Sequence, residues 1–268
     1  MGRVTSRDGT AISYDRQGAG PAVVLVGGGL VDRSENAPLA AVLSERFTVY
    51  NYDRRGRGES GDTRPYALGR EIDDIRALIA ETGGTAHLYG VSSGGALVLE
   101  AALAGVAART LAVYEVPYNV DEDWPSRWRA YVDQLGAALA EGRRAEAVSL
   151  FMRLVDTPEE AISGMLDGPY WPSLEAIAHT IAYEAACLGD GQPPVARLGR
   201  IGQPTLVAIG SGCHEPGAAA WVVALEGAAD AIAASIPHAE RRSLEGQSHV
   251  ADPEAMAEVL GRFFDGRS

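Results

Sequence analysis

A chain of 268 residues, 46% apolar and 22% charged, is long enough to bury one large α/β core with an insertion, and it needs no disulfide or metal staple to do so. Its formal charge of −13 argues against nucleic acid or an anionic membrane as partner, because both would repel it. No apolar run approaches the roughly 18 residues that span a bilayer, and the polar stretch 1–10 has no signal-like apolar core, so a cytoplasmic protein with no membrane partner is expected. The two cysteines, Cys187 and Cys213, form no CxxC pair, so no structural zinc is expected. A reduced chain is the simpler reading and a single disulfide the other.

In chain order, residues 2–5 and 11–14 read as a small hairpin around Asp8-Gly9. Residues 22–26 are continuously apolar, which suits a strand covered on both faces, and they stop at Gly27-Gly28-Gly29. A short helix is expected over 38–45 and a strand over 47–52. Ile72, Ile75, Leu78 and Ile79 give 68–81 the spacing of an amphipathic helix. A strand at 86–89 runs into Gly90-Val91-Ser92-Ser93-Gly94, and 96–104 is apolar almost all round, as in a buried helix. Residues 111–115 form the next strand.

The pattern then changes. From about 118 to 196 the spacing is helical, no strand is evident, and three of the four tryptophans occur: Trp124, Trp128 and Trp171. The strand pattern resumes at 205–209, followed by a helix over 218–235, a strand over 240–244 and an amphipathic helix over 255–264. Alternating strands and helices imply a mostly parallel, doubly wound sheet. The expected organisation is a core of residues 1–117 and 197–268, with 118–196 as a helical cap or lid on top of it.

Gly90-Val91-Ser92-Ser93-Gly94 fits G-x-S-x-G at a strand–turn–helix corner. Such a corner holds Ser92 in a strained backbone conformation with its hydroxyl raised above the sheet, and a Cβ at either glycine would meet neighbouring backbone. A phosphate-binding turn is the competing reading, but the segment has neither G-x-x-x-x-G-K-[ST] nor G-x-G-x-x-G. With these residues the chain resembles the α/β-hydrolases over nearly its full length. Asn51-Tyr52-Asp53-Arg54-Arg55-Gly56-Arg57-Gly58-Glu59-Ser60 is similar to that family's D-x-R-G-x-G-x-S loop, in which the arginines are read as scaffold. The resemblance implies an α/β-hydrolase fold: a mostly parallel eight-stranded sheet flanked by helices, with a helical lid insertion.

A serine nucleophile needs a base. Of the five histidines, His87 lies in a strand, His179 in the helical stretch, His214 after the seventh strand and His238 before the eighth. His249 follows the last strand, in the loop where the family carries its base, with Gly246 shortly before it. The acid is less clear. The family commonly places Asp after the seventh strand, but here that loop reads Gly210-Ser211-Gly212-Cys213-His214-Glu215-Pro216. Glu115, at the end of the sixth strand, is the favoured acid. The local sequence resembles that of a group of haloalkane dehalogenases that take their acid from this position. Glu215 is the alternative, and a dyad or Asp121 or Asp123 remain open. The oxyanion hole requires two backbone N–H groups. One is expected from Ser93. Aligning the family's His-Gly-x with Gly27-Gly28-Gly29 makes Gly29 the other, with the register open by one residue.

The expected function is a serine hydrolase that cleaves an ester, thioester or lactone of a mid-sized apolar small molecule through an acyl-enzyme on Ser92, without metal or organic cofactor. Trp124, Trp128, Tyr131, Phe151, Met165, Tyr170 and Trp171 are candidate pocket residues, many of which belong to the lid core instead. Ser rather than Asp at position 92 argues against a dehalogenase or epoxide hydrolase. C–C bond hydrolysis, perhydrolysis, or a lyase or cyclisation step on the same residues stays open. So does a non-catalytic binding protein of this fold, for which the missing Asp after the seventh strand is the only hint. The oligomeric state is not read from the sequence.

Overall fold

Ala22–Val26 can form a strand of apolar residues only because both faces are covered. In the computed structural model, which describes residues 1–212 and 219–266, this strand lies inside an eight-stranded sheet. The strands are β1 (Gly2–Thr5), β2 (Ala11–Gln17), β3 (Ala22–Val26), β4 (Thr48–Tyr52), β5 (Ala86–Val91), β6 (Ala108–Tyr114), β7 (Thr205–Gly210) and β8 (Ala239–Leu244). Their order is β1-β2-β4-β3-β5-β6-β7-β8. β1 and β2 are antiparallel to their neighbours, and β3 to β8 run parallel.

The pleat sends alternate residues to opposite faces. Val24 and Val26 join a core that also contains Ile75 and Leu78 of α2 (Leu68–Glu81), Leu97 of α3 (Ser93–Leu103) and Ile232 of α10 (Ala219–Ser235). Val23 and Leu25 join a second core with Leu39 of α1 (Ala37–Leu43) and Leu260 of α11 (Pro253–Phe264). Between β6 and β7 the chain is helical throughout its regular structure. It forms α4 (Trp124–Ala140), α5 (Arg144–Leu154), α6 (Glu159–Leu166), α7 (Trp171–Ala176), a 3₁₀ turn, α8 (Ile181–Leu188) and α9 (Val195–Leu198). Among the described residues no helix is long and apolar enough to cross a membrane.

Strand register brings two residues together at one edge of the sheet. Val91 of β5 pairs with Tyr114 of β6, so the next residues, Ser92 and Glu115, leave the sheet side by side at the carboxyl ends of parallel strands. The Ser92 N–H still donates to the Tyr114 carbonyl at 2.9 Å, and the Glu115 N–H to the Ala208 carbonyl at 3.0 Å. This edge is where open parallel sheets build ligand sites.

His87, inside β5, belongs to the second core. Its ring stacks on Phe264 with centroids 4.6 Å apart, and Nδ1 lies 2.8 Å from the Thr110 hydroxyl. Burial, with a smaller contribution from the Arg109 charge, lowers its pKa from 6.5 to about 4. Between those values the unfolded chain binds a proton that the folded chain does not. Stability therefore falls as pH drops from about 6.5 to about 4, by on the order of 2–3 kcal/mol from this group. Denaturant unfolding at pH 7 and pH 4.5 should show that loss in the wild type and a smaller one in His87→Gln. Equal losses in both would refute the assignment.

Candidate active site

The elbow follows from strand-to-helix geometry. Ser92 has φ 56° and ψ −132°, a left-handed conformation that a non-glycine residue adopts only where its surroundings hold it. α3 starts at the next residue. A Cβ on Gly90 would lie 2.4 Å from the Gly94 carbonyl oxygen, and one on Gly94 would lie 2.4 Å from the Val26 oxygen. Both are rigid backbone contacts, so only glycine lets α3 fold back this closely on β3 and β5.

Glu115 takes a second left-handed conformation, φ 48°, as the chain leaves β6. Its carboxylate is buried. Oε2 lies 2.6 Å from His249 Nδ1, and Oε1 accepts the Gly210 N–H at 2.9 Å. The His249 loop is drawn to this place by small residues and backbone bonds. The Gly212 N–H donates to the Gln247 carbonyl at 2.7 Å, and the Tyr114 hydroxyl donates to the Ser248 carbonyl. A Cβ on Gly210 would lie 2.2 Å from the Gln247 oxygen. The end of β7 is thus the bed on which the histidine loop rests, while the carboxylate that meets the imidazole comes from β6. Of the other acids weighed, Asp121 and Asp123 are exposed beside the start of α4, and Glu215 lies outside the described residues.

Ser92 and His249 line one cavity of about 720 Å³, a size that suits a small organic molecule. Gly28, Gly29 and Ser93 line it as well. Trp124, Trp128, Tyr131 and Phe151, from α4 and α5, form an aromatic wall. Trp128 and Tyr131 sit 5.4 Å apart, and the Trp128 Nε1 donates to the Gly189 carbonyl at 2.9 Å, so its polar edge is satisfied away from the cavity. Tyr170 and Trp171, expected on this wall, are not on it. Tyr170 is 81% exposed, and Trp171 is buried between helices with its Nε1 on the Glu175 carboxylate. Met165 is likewise exposed and off the cavity. Helical spacing marks the buried face of a helix without saying whether that face meets a cavity or another helix.

Two lining residues had no assigned role in the sequence reading. Trp221, near the start of α10, holds its ring 6.5 Å from that of His249, edge to face. Glu184 reaches the cavity from α8. Its signal was legible: a lone carboxylate in the apolar stretch Ile181–Leu188 requires a buried partner. The partners are Arg54 and Arg57 of the loop after β4, both buried. The third arginine of that loop, Arg55, is held by Asp74 on α2. Among the described residues no group of three or more His, Cys, Asp or Glu is placed to hold a metal ion.

The family model described as the alpha/beta hydrolase family matches residues 23–259. The chain belongs to that family. An alpha/beta hydrolase from Sphaerobacter thermophilus DSM 20745 is 44% identical and superposes with a TM-score of 0.86 over 98% of this chain and 100% of that one. The enol-lactonase from Burkholderia xenovorans LB400 shares the fold, with a TM-score of 0.71 at 22% identity over 98% of this chain and all of the other. An uncharacterized hydrolase of Bacillus subtilis (strain 168), YraK, is 34% identical over 96 residues, a match that spans 34% of this chain and 35% of that relative. Hydrolase chemistry is thus a property of the family, and the eight-stranded sheet with its flanking helices is the family's architecture.

Proposed function

We propose that this hydrolase cleaves an ester, thioester or lactone bond of a neutral, mid-sized, largely apolar molecule through an acyl-enzyme on Ser92. The observation that carries the reading is the joint placement of Ser92 and His249 on one aromatic-walled cavity, with His249 Nδ1 already committed to Glu115. A hydrogen bond to Nδ1 fixes the tautomer in which Nε2 is free to accept the Ser92 proton. Ser92 Oγ attacks the carbonyl carbon as His249 takes its proton. The Ser93 and Gly29 N–H groups receive the developing oxyanion. His249 then protonates the leaving group, and water deprotonated by His249 releases the acid. The Glu115–His249 contact supports this reading over a binding protein, for which the missing Asp after β7 was the hint.

Neutral substrates are favoured by the lining. Its carboxylates are Glu35, Asp156 and Glu184, and no guanidinium lies among the described lining residues. The chain has no lysine at all. A carboxylate-bearing acyl group would meet the like charges of Glu35 and Asp156, and the third lining carboxylate, Glu184, already occupies Arg54 and Arg57.

The test joins labelling and turnover. A fluorophosphonate probe should modify Ser92, located by peptide mass spectrometry, and p-nitrophenyl butyrate should be hydrolysed with kcat/KM at least about tenfold above the anionic succinate monoester, the equivalent of roughly 1.4 kcal/mol. A chain that neither labels nor turns over either ester would refute the acyl-enzyme. Preference for the anionic ester would refute the neutral substrate alone.

A further inference from the structure

Four charged side chains sit together beside the cavity, which Glu184 lines: Arg54, Arg57, Glu71 and Glu184, each at most 4% exposed at the side chain. Arg54 Nε donates to Glu71 at 2.6 Å and Nη1 to Glu184 at 2.9 Å, and Arg57 pairs with the other oxygen of Glu184. Tyr66 adds a hydrogen bond to Glu71 at 2.8 Å. Removing two ion pairs from water costs several kcal/mol per ion, so the cluster is weak evidence of a stabilising role. Further guanidinium donors reach the glycine tract and the elbow, while Arg54 Nη2 lies against the Cys187 Sγ at 3.6 Å. Arg57 Nη1 donates to the Gly28 carbonyl. Arg54 Nη1 reaches the Gly27 carbonyl and the Ser93 hydroxyl, each at 3.2 Å.

Peptide planarity turns these contacts into a constraint on the opposite side of the tract. In a trans peptide the C=O of one residue and the N–H of the next point in opposite directions. With the Gly28 carbonyl held on Arg57, the Gly29 N–H is directed away from the guanidinium. With the Gly27 carbonyl held on Arg54, the same is true of the Gly28 N–H. Three consecutive glycines carry no side chain to oppose a peptide flip, so contacts from outside the tract, such as these, bear on the orientation of its peptide planes. The counter-ion shared by the two arginines belongs to α8, from the helical stretch between β6 and β7, and the Glu184 Cγ lies 3.6 Å from where a Gly29 Cβ would stand.

We propose that Arg54 and Arg57, bridged by Glu184, are positioning residues that fix the peptide planes of Gly28 and Gly29, so that the oxyanion donors are set only when α8 is seated against the core. The proposal rests on the acyl-enzyme reading. It assigns a role to two of the three positions that D-x-R-G-x-G-x-S leaves open, and it ties the helical stretch to the catalytic step rather than to substrate binding alone.

The test separates kcat from KM and adds a mimic of the tetrahedral oxyanion. Wild type, Arg57→Met, Arg57→Lys and Glu184→Gln are compared in p-nitrophenyl butyrate turnover and in inhibition by an aryl trifluoromethyl ketone, which forms a hemiketal anion on the serine. Losing an aimed oxyanion donor costs about 10²–10³ in kcat. Arg57→Met should therefore lose about 100-fold in kcat with KM within about threefold, and the ketone should weaken by a similar factor. Arg57→Lys should recover part of that loss, since an ammonium can still reach one carbonyl. Glu184→Gln, which keeps shape and hydrogen-bonding atoms, should lose about tenfold in kcat along the same line. If Arg57→Met does not unfold cooperatively, the isosteric Glu184→Gln decides. The proposal is overturned if either folded variant keeps kcat within about threefold, or if KM rises while the ketone binds as before. Failure of the wild type itself to turn over or to bind the ketone would instead overturn the acyl-enzyme reading, and this proposal with it.

Discussion

Ser92→Ala should reduce ester turnover by on the order of 10⁴–10⁶ while leaving the fold and the cavity in place. The hydroxyl is the only group at the elbow that can form the covalent intermediate, and the adjacent Ser93 cannot replace it. Ser93 is buried in the first turn of α3, with its Oγ engaged by Arg54. Alanine accepts the left-handed backbone of position 92 about as poorly as serine does, so the strain at φ 56° is carried over rather than relieved. Removing a half-buried hydroxyl also relieves a desolvation cost, so the thermal midpoint should stay level or rise slightly. Substrate binding should survive, because the aromatic wall and the glycine tract are untouched. The measurements are the pre-steady-state release of p-nitrophenol and the affinity for an uncleaved ether analogue. A variant that retains the burst would exclude Ser92 as the nucleophile.

Legibility in the sequence followed the range of the interactions. β3 and most of β7 could be read directly, because a strand covered on both faces is apolar at successive positions and needs no partner information. β2 could not be bounded. It continues through Asp15, Arg16 and Gln17, whose polarity suggests a turn, because those residues pair with Asn51, Tyr50 and Val49 of β4 near the edge of the sheet. The candidate nucleophile was a local reading, since the glycines demanded by the elbow stand within two residues of Ser92. His249 could be proposed as the base from its place after the last strand, where the family carries its histidine. The acid could not be fixed, since the choice between positions 115 and 215 turns on which chain segment approaches the imidazole. That depends on the Gly210 and Gly212 contacts with the histidine loop, which no local pattern encodes. The arginines of the loop after β4 were read as scaffold. Their burial agrees with that reading, but their reach to Gly27, Gly28 and Ser93 is a tertiary fact.

Glu115→Gln should lower kcat by about 10⁴ with little change in structure, and the direction of its hydrogen bonds gives the reason. In the wild type, Oε1 accepts from the Gly210 N–H and Oε2 meets His249 Nδ1. A glutamine in the same place has one oxygen to offer. The Gly210 N–H is a fixed backbone donor, so it takes that oxygen and turns the amide NH₂ toward Nδ1. The imidazole then accepts at Nδ1 and carries its proton at Nε2, the atom that should receive the serine proton, and the general base is lost. The developing imidazolium also loses its counter-charge. Because Gln fills the same volume in a fully buried site, the thermal midpoint should move by no more than a few degrees, so the loss of rate is not a loss of folded protein. Glu115→Ala, which opens a cavity and leaves the Gly210 N–H without its acceptor, should cost stability as well as rate. Glu215→Gln, measured in parallel on the same ester, should remain within about threefold of wild type. The reverse pattern, a mild Glu115→Gln and a severe Glu215→Gln, would move the acid to the loop after β7 and leave the contact between Glu115 and His249 as a structural one.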